Sequence, residues 1–235
     1  MNNSYFAKNK YVGLAASEYE RRRNQMPRWH QELEVVKTYV DGIKEGSSVL
    51  DVPFGTGRFV DNYVNRKLSV FGVDISPDMI FSARQSLGKT FAKCNVQVAD
   101  AEALPFSDNA FDYVISIRFI KWLPTLEIVE KVLSEFARVS RSEIFLQVKV
   151  VPDRRFGFMG LRDLGSNAVG VVRRRVRTML GRMSPVESRA KARRYRDADL
   201  QFLFAKLGLV VKPEIVGASQ SPGLRYYVLS QNRGA

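Results

Sequence analysis

Short apolar runs alternate with longer amphipathic stretches along most of this chain. An apolar run of about four to eight residues that ends at turn formers indicates a buried strand, whereas apolar residues three and four positions apart indicate a helix. Strands that alternate with helices are typical of an α/β fold with a mainly parallel sheet. The pattern predicts strands at 49–52, 69–73, 95–99, 111–117, 142–151, 209–216 and 224–230, and helices at about 15–45, from 58, from 77, at 127–140 and at 198–207.

The strand at 49–52 leads into a glycine turn, and the turn leads into a predicted helix. Asp51 lies at the carboxyl end of the strand, and Gly55 and Gly57 follow it. These glycines leave no side chain between the backbone and a ligand. The helix predicted from Arg58 directs its free N–H groups toward the turn. A strand, a glycine turn and a helix N-terminus together indicate a nucleotide-type binding site.

The spacing of this turn excludes two phosphate-binding motifs. A P-loop requires a lysine and then a serine or threonine after its second glycine, and Arg58 and Phe59 stand there instead. The dinucleotide motif requires a glycine where Val60 stands, which opposes a nicotinamide-dependent oxidoreductase. An acidic residue at the strand end with two glycines suits a ligand that has an amino-acid part and a ribose but no pyrophosphate.

The stretch VLDVPFGTGRF resembles the first motif of the class I S-adenosylmethionine-dependent methyltransferases, which commonly reads (V/I)LD(L/V)GCGTGRF. The chain departs from this motif at Pro53 and Phe54. The resemblance implies a Rossmann-like, doubly wound sheet of seven strands, mostly parallel with an antiparallel last strand. It also implies that S-adenosyl-L-methionine is the cofactor and that Asp51, Gly55 and Gly57 contact it.

The segment GVDISPDM resembles the second motif of the same family. Asp74 lies 19 residues beyond Gly55, close to the spacing at which an acidic residue receives ribose hydroxyls. A carboxylate suits this role because it only accepts hydrogen bonds and can take both hydroxyl protons. The resemblance implies that Ile75 and Met79 pack on the adenine. Ser76 is the predicted cap of the helix that follows.

Two further segments resemble parts of the family that contact the cofactor. DAEALPF at 100–106 matches the segment in which an aspartate and the next backbone amide meet the adenine edge, and Asp100 and Ala101 occupy these positions. Ahead of the first motif, Tyr19 and Arg22 resemble a tyrosine–arginine stretch that approaches the methionine end. An arginine can pair bidentately with the methionine carboxylate. The alternative for these two residues is a solvated basic helix face.

One residue is a candidate for the catalytic base. His30 is the single histidine, and histidine is the side-chain type that ordinarily titrates near neutrality. An ordinary surface or capping role is the alternative for it. After the fourth strand, where the family often has a histidine, this chain has Arg118 and Trp122. The [DN]-P-P-[YF] segment of many nucleic-acid and glutamine N-methyltransferases does not occur at this point.

The composition narrows the class of protein. The chain has 235 residues, a hydrophobic content of 45% and one cysteine, Cys94. This length suits one α/β domain with a sizeable core. A single cysteine cannot form an internal disulfide, which favours a reducing cytoplasm. We expect neither secretion nor membrane spanning, because the start lacks an apolar signal segment and no apolar run approaches 18 residues.

Most of the net charge of +13 comes from one segment. Residues 153–196 contain thirteen basic and three acidic residues, a balance of +10. Apolar residues within it fall on one helical face and predict a basic amphipathic helix at 169–183. Such a helix can lie on an anionic membrane surface, where each basic residue contributes about 1 kcal/mol. It can instead turn its arginines toward an anionic acceptor, or form a solvated lid, for example at a dimer contact.

We therefore predict one methyltransferase domain in four parts: a helical cap at 1–46, a cofactor-binding core at 47–150, a basic lid insertion at 152–195, and a last helix and hairpin at 196–235. The predicted reaction is O-methylation of a small or lipid-linked acceptor, an anionic one included, in cell-envelope glycan or lipid synthesis. It would take place in the cytoplasm, at the inner membrane surface, without a metal ion. The alternatives are an RNA methyltransferase, although no RNA-binding module is found, and a non-catalytic protein that binds S-adenosylmethionine.

Overall fold

The computed structural model describes residues 27–151, 192–213 and 223–232. In these ranges the chain forms five α-helices and seven strands. The helices are α1 (Pro27–Asp41), α2 (Val60–Asn65), α3 (Pro77–Leu87), α4 (Leu126–Val139) and α5 (Asp197–Lys206). The strands are β1 (Ser48–Asp51), β2 (Ser69–Asp74), β3 (Cys94–Val98), β4 (Phe111–Ser116), β5 (Ser140–Lys149), β6 (Leu209–Val211) and β7 (Leu224–Gln231).

The seven strands form one sheet in the order β3-β2-β1-β4-β5-β7-β6. The first five strands pair in parallel, and β7 runs antiparallel to both β5 and β6. The direction of winding reverses between β1 and β4, and ligands of open α/β sheets bind at such a point beyond the carboxyl ends of the strands. The predicted doubly wound fold is confirmed, and β4 is the central strand.

Helices cover both faces of the sheet. One core cluster includes residues of α4 and α5 with one face of β4 and β5, and a second includes residues of α1 and α2 with the other face. The four apolar positions that predict the inward face of α4 are all fully buried. Burial of a side chain of this size contributes about 1.5–3 kcal/mol. These positions are Val129, Val132, Leu133 and Phe136.

Helix α3 begins as the sequence predicts. The Oγ of Ser76 accepts a hydrogen bond from the backbone N–H of Met79 at 3.3 Å, and Pro77 occupies the first helical position. Proline is favoured there because its missing N–H has no partner in the first turn of a helix. The cap fixes the start of α3 three residues after Asp74, the last residue of β2.

Several predicted helix boundaries are wrong. The helix predicted from Arg58 begins at Val60, because two tight turns occupy the residues before it. The helix predicted to reach residue 45 ends at Asp41, where a turn closes onto Tyr39. The helix predicted at 198–207 begins at Asp197 and ends at Lys206, and the carboxylate of Asp197 accepts a hydrogen bond from the hydroxyl of Tyr227.

The predicted basic helix at 169–183 lies outside the described residues. So does the start of the helix predicted from residue 15. The strand predicted at 209–216 is too long, because β6 ends at Val211 and the described residues 212 and 213 do not continue it. Within the described ranges, no helix combines the length and the apolar composition needed to cross a membrane.

Candidate active site

A cavity of about 110 Å³ lies beyond the carboxyl ends of β1, β2 and β4. This is the point at which the topology reverses, so the strand order itself places the opening there. Apolar and aromatic side chains form most of the wall, and a few polar groups interrupt it. The lining residues are Trp29, Pro53, Phe54, Gly55, Thr56, Arg58, Phe59, Asp74, Ile75, Met79, Ile117, Arg118, Phe119 and Trp122.

Asp74 is the acidic residue of this wall. Its Oδ2 accepts from the backbone N–H of Gly55 at 2.8 Å, and its Oδ1 accepts from that of Ser76 at 2.9 Å. Burial raises the pKa of Asp74 to about 6, although the N–H groups of Ser76, Gly55 and Ile75 oppose this change. Each oxygen of an ionised carboxylate has two acceptor sites. The structure thus holds this carboxylate at the glycine turn with acceptor capacity left for a ligand.

The glycine turn has the backbone that its sequence predicts. Gly55 and Gly57 have φ values of +58° and +73°, a region that residues with a Cβ rarely adopt. Gly55 lines the cavity directly. Gly57 faces the core instead, where a Cβ would lie 2.5 Å from Cδ1 of Leu87.

Phe54, one of the two departures from the family motif, is buried in the core cluster beside the turn. Its ring lies against the backbone of β2, where a Cβ built on Gly72 would be only 2.3 Å from its Cδ2. A glycine in β2 is therefore what gives this large side chain its space. The aromatic ring supports the turn from the side of the core.

Asp51 lies deeper than Asp74. Only 2% of it is exposed, and it is not among the residues that line the cavity. Burial raises the pKa of Asp51 well above its usual range, while the hydroxyl of Tyr63, which donates to it at 3.3 Å, opposes this rise. The nearby charge of Asp74 raises the pKa of Asp51 further. Its contact with the cofactor stays a prediction.

The loop at 100–106 does not line the described cavity. The Oδ1 of Asp100 accepts from the backbone N–H of Glu102 at 3.0 Å, and Ala101 is 8% exposed in the core. Two residues of α4 hold the loop: Arg138 donates to the carbonyls of Leu104 and Phe106, and Glu135 accepts from the N–H of Leu104. The adenine-binding roles of Asp100 and Ala101 stay predictions.

The remaining predicted site residues lie elsewhere. Tyr19 and Arg22 fall outside the described residues. His30 is exposed on α1, and it is not among the residues that line the cavity. Ile75 and Met79, predicted to contact adenine, do line it. The spacing of the second motif therefore brings Asp74, Ile75 and Met79 to one wall.

A buried ionic cluster, which the sequence did not reveal, joins three elements at the cavity. The Oε2 of Glu32 accepts from Nη1 of Arg58 at 3.0 Å and from Nη1 of Arg118 at 2.9 Å. The side chain of Glu32 is only 4% exposed. Burial alone would raise its pKa, but the two guanidinium groups outweigh burial and lower it. We call Glu32, Arg58 and Arg118 the Glu32 cluster.

Aromatic rings surround this cluster. The guanidinium carbon of Arg58 lies 3.5 Å from the ring centre of Trp29, and that of Arg118 lies 5.7 Å from it. Trp29 is itself buried. Phe119 and Trp122 continue the same lining after β4. Such rings attract cations and exclude water, which strengthens ionic interactions at the site.

Arg118 has an unusual backbone for a residue with a side chain. Its φ is +65°, and a conformation of this kind costs about 1–3 kcal/mol, which the surrounding structure has to supply. The buried side chain of Gln147 offsets part of this cost, because its Oε1 accepts a hydrogen bond from the backbone N–H of Arg118 at 3.1 Å. The Nε2 of Gln147 in turn donates to the hydroxyl of Tyr226 at 2.8 Å.

Comparisons with known proteins bear on this core. The methyltransferase domain family matches residues 49–143. Malonyl-[acyl-carrier protein] O-methyltransferase of Geobacter sulfurreducens is 39% identical over 93 residues, which are 38% of this chain and 33% of that enzyme. Phosphatidylethanolamine N-methyltransferase of Cereibacter sphaeroides is 35% identical over 99 residues, 41% of this chain and 46% of that enzyme. The chain thus spans less than half the length of either relative.

Solved structures extend the likeness beyond residues 49–143. The magnesium protoporphyrin IX methyltransferase of Synechocystis PCC 6803, solved with bound SAH, superposes with a TM-score of 0.68. The alignment covers 94% of this chain and 97% of that one at 17% identity, so it shows a shared fold. Residues 49–143 thus match the methyltransferase domain family, and the fold shared with this solved structure continues beyond them.

Proposed function

We propose that this protein transfers a methyl group from S-adenosylmethionine to an oxygen of a small or lipid-linked acceptor. The observation that carries the proposal is Asp74, a buried carboxylate held at the glycine turn by two backbone N–H groups. It lines the cavity at the switch point of the sheet and has acceptor sites left over. A ribose hydroxyl can donate to a carboxylate placed in this way.

The residues present fit this cofactor. Asp74 would hold the ribose beside the bare backbone of Gly55, and Ile75 and Met79 would cover an apolar ring. When bound, S-adenosylmethionine supplies a methyl group that its sulfonium already activates. The protein therefore chiefly has to hold the acceptor in line with that methyl group. Alignment of two reactants can contribute up to about 7–11 kcal/mol.

Calorimetry tests the cofactor half of the proposal. We expect the purified chain to bind S-adenosylmethionine, and Asp74→Ala to weaken binding at least tenfold, because a hydrogen bond to a charged group contributes about 1.5–3 kcal/mol. Asp78→Ala, on the first turn of α3, is the control that removes a neighbouring carboxylate which does not line the cavity. Equal binding by the wild-type chain and the Asp74 variant would contradict the proposal.

Radiolabel tests the acceptor half. The chain is incubated with methyl-labelled S-adenosylmethionine and a bacterial extract divided into small-molecule, lipid, protein and RNA fractions. We expect label in the small-molecule or lipid fraction. One relative, "Probable tRNA methyltransferase 9B" of Mus musculus, is 34% identical over 104 residues, 44% of this chain and 22% of that protein. Label in RNA would replace our proposal with that activity, and cofactor binding without any transfer would indicate a non-catalytic binding protein.

We also propose that the protein works in the cytoplasm, at the inner membrane surface. The support is the balance of +10 in residues 153–196 and the amphipathic pattern at 169–183. Flotation with phosphatidylglycerol vesicles at low salt should carry the chain upward, and vesicles of phosphatidylcholine should not. Replacement of Arg173, Arg174, Arg175 and Arg177 by Gln should abolish flotation. A wild-type chain that stays at the bottom with anionic vesicles would refute this location.

A further inference from the structure

The cavity wall after β4 is built around one arginine. β4 is the central strand and ends at Ser116, so Arg118 enters the cavity at the middle of the sheet. The backbone N–H of this strained residue donates to the buried side chain of Gln147. Its Nη1 donates to the buried carboxylate of Glu32. Strain that the surroundings maintain in this way is typical of functional positions. Two separate buried side chains thus fix both ends of this residue.

A guanidinium held in this way suits a carboxylate. It presents five N–H donors in a planar fork that matches the two oxygens of a carboxylate. Glu32 accepts a hydrogen bond from Nη1 of Arg118, and this contact orients the plane of the guanidinium group. The rings of Trp29, Phe119 and Trp122 line the same cavity, and their low polarity strengthens an ionic contact. This wall is therefore suited to a ligand that has an anionic group and an apolar body.

The titratable side chains that line the described part of the cavity also favour a carboxylate ligand. They are Asp74, Arg58 and Arg118. The two arginines stay protonated at neutral pH, and Asp74 accepts the N–H groups of the glycine turn. A hydroxyl acceptor would need a base to take its proton. A carboxylate acceptor needs none, because it is already ionised at neutral pH.

We infer that the acceptor oxygen belongs to a carboxylate, that Arg118 binds this carboxylate, and that the product is a methyl ester. The inference rests on the proposed function and names its acceptor class. One carboxylate oxygen attacks the methyl carbon of the sulfonium donor. A carbon–oxygen bond forms and the methyl carbon–sulfur bond breaks, and the electron pair of that bond stays on sulfur. The donor leaves as a neutral thioether, and no proton moves.

The test uses the lability of esters to base. Label transferred from methyl-labelled S-adenosylmethionine to the extract fractions is treated with sodium hydroxide, and volatile methanol is captured from the vapour. We expect nearly all transferred label to appear as methanol. Ethers and methylated amines keep their label under these conditions. Base-stable label would therefore overturn this inference and leave the proposed methyltransferase intact.

Variants test the assignment to Arg118. With the labelled fraction as acceptor, Arg118→Gln should raise the acceptor KM about tenfold to a hundredfold, as loss of a charged hydrogen bond predicts. The Kd for S-adenosylmethionine, measured by calorimetry, should change less than about twofold. Arg118→Lys should recover part of the acceptor affinity, because it restores the charge without the fork. Arg84→Gln removes an exposed guanidinium on α3 and should change neither constant.

Two results would remove Arg118 from this role. If Arg118→Gln raises the cofactor Kd by the same factor as the acceptor KM, the arginine serves the methionine carboxylate instead. If the wild-type chain binds S-adenosylmethionine but labels no fraction, the inference and the proposed function both fail. The ester test uses only the wild-type chain, so it decides the acceptor class even if the Arg118 variants do not fold.

Discussion

At the scale of single residues, Asp74 makes cofactor binding depend on pH. Its pKa is about 6 because burial disfavours the charged form. Ribose hydroxyls need the ionised carboxylate as acceptor. We expect the Kd for S-adenosylmethionine to be constant above about pH 7 and to rise by up to about tenfold per pH unit below pH 6. Calorimetry between pH 5 and 8 measures this.

The same shift has the opposite sign for the stability of the free protein. A raised pKa means that folding favours protonated Asp74, so its contribution to stability is present below about pH 4 and is lost as the pH rises through about 6.

The variant Asp74→Asn is the control for the binding prediction, because its side chain cannot titrate. Its cofactor binding should be weaker than that of the wild type, and its Kd should not depend on pH near 6. If the variant keeps the pH dependence, another group is responsible, and Asp51 with its raised pKa would be examined first.

Gly72 provides a second test at this scale. A Cβ on Gly72 would lie 2.3 Å from Cδ2 and 2.7 Å from Cγ of Phe54, and the ring is buried. Gly72→Ala should lower the free energy of unfolding by about 1–3 kcal/mol, as overpacking does. In Gly42→Ala the nearest atom to the new Cβ is the carbonyl oxygen of Tyr39 at 3.4 Å, an ordinary contact, so this control should lose less.

Urea unfolding measures both variants. The double variant Gly72→Ala with Phe54→Ala should lose less stability than the sum of the single changes, because the small side chain removes the clash. Additive losses would show that Gly72 matters for a reason other than the Phe54 ring.

The residues of the site differ in how far sequence predicts them. Asp74, Ile75 and Met79 lie within six positions at the end of β2, so a local motif shows them together, and all three line the cavity. Glu32 and Arg118 are separated by 86 positions, and no local pattern records their contact. The hydrophobic pattern of α1 places Glu32 on a helix but does not show that it is buried under two guanidinium groups.

At the scale of elements, the loop at 100–106 depends on α4. Arg138 donates to the carbonyl of Leu104 at 3.0 Å and to that of Phe106 at 2.6 Å, and it also pairs with Glu135. Arg138→Ala should lower the free energy of unfolding by about 1–3 kcal/mol. If Asp100 meets the adenine as predicted, the variant should also weaken cofactor binding severalfold, because the loop loses its support.

A matched control lies on the next element. Arg141 of β5 donates to the carbonyl of Asn109 and pairs with Asp112, outside the 100–106 loop. Arg141→Ala should leave the cofactor Kd unchanged. Calorimetry compares the two variants, and an unchanged Kd for Arg138→Ala would separate the loop from the cofactor site.

Element boundaries show what the hydrophobic pattern leaves undetermined. Strands are predicted well because each is a short apolar run between turn formers. Helix starts are predicted well only where a cap is encoded locally, as at Ser76 before α3. Near Arg58, two tight turns of the backbone decide where the helix begins. Near Asp197, a hydrogen bond to a distant residue, Tyr227, lies at the boundary. Such contacts depend on the fold and are not visible in local sequence.

At the scale of the whole molecule, the strand order explains why distant residues share one cavity. β1, β2 and β4 are neighbours in the sheet although their ends lie at Asp51, Asp74 and Ser116. Their carboxyl ends therefore deliver the glycine turn, the acidic wall and Arg118 to one place. Helix α1 adds Trp29 and Glu32 from the start of the described chain. The cavity is complete only when all four elements are in position.

Glu32 is the residue through which α1 holds the other elements, and its removal tests that arrangement. Glu32→Gln keeps the size of the side chain but removes a carboxylate that both guanidinium groups contact. We expect the free energy of unfolding at pH 7 to fall by about 3–5 kcal/mol, as when one partner of a buried ion pair is removed. Glu34→Gln, an exposed change on the same helix, should cost less than about 0.5 kcal/mol.

The pH dependence of this loss distinguishes an ionic contact from packing. The pKa of Glu32 is lowered by Arg118 and Arg58 against the effect of burial, so its stabilising contribution is present above the ordinary glutamate value and is lost as the pH falls through the lowered one. The difference in unfolding free energy between wild type and Glu32→Gln should therefore be largest near neutrality and shrink in acid. Urea unfolding at pH 7 and at pH 4 or below measures it. A difference that stays constant over this range would show that the lost stability does not come from the charge of Glu32, and the ionic account of this contact would fail.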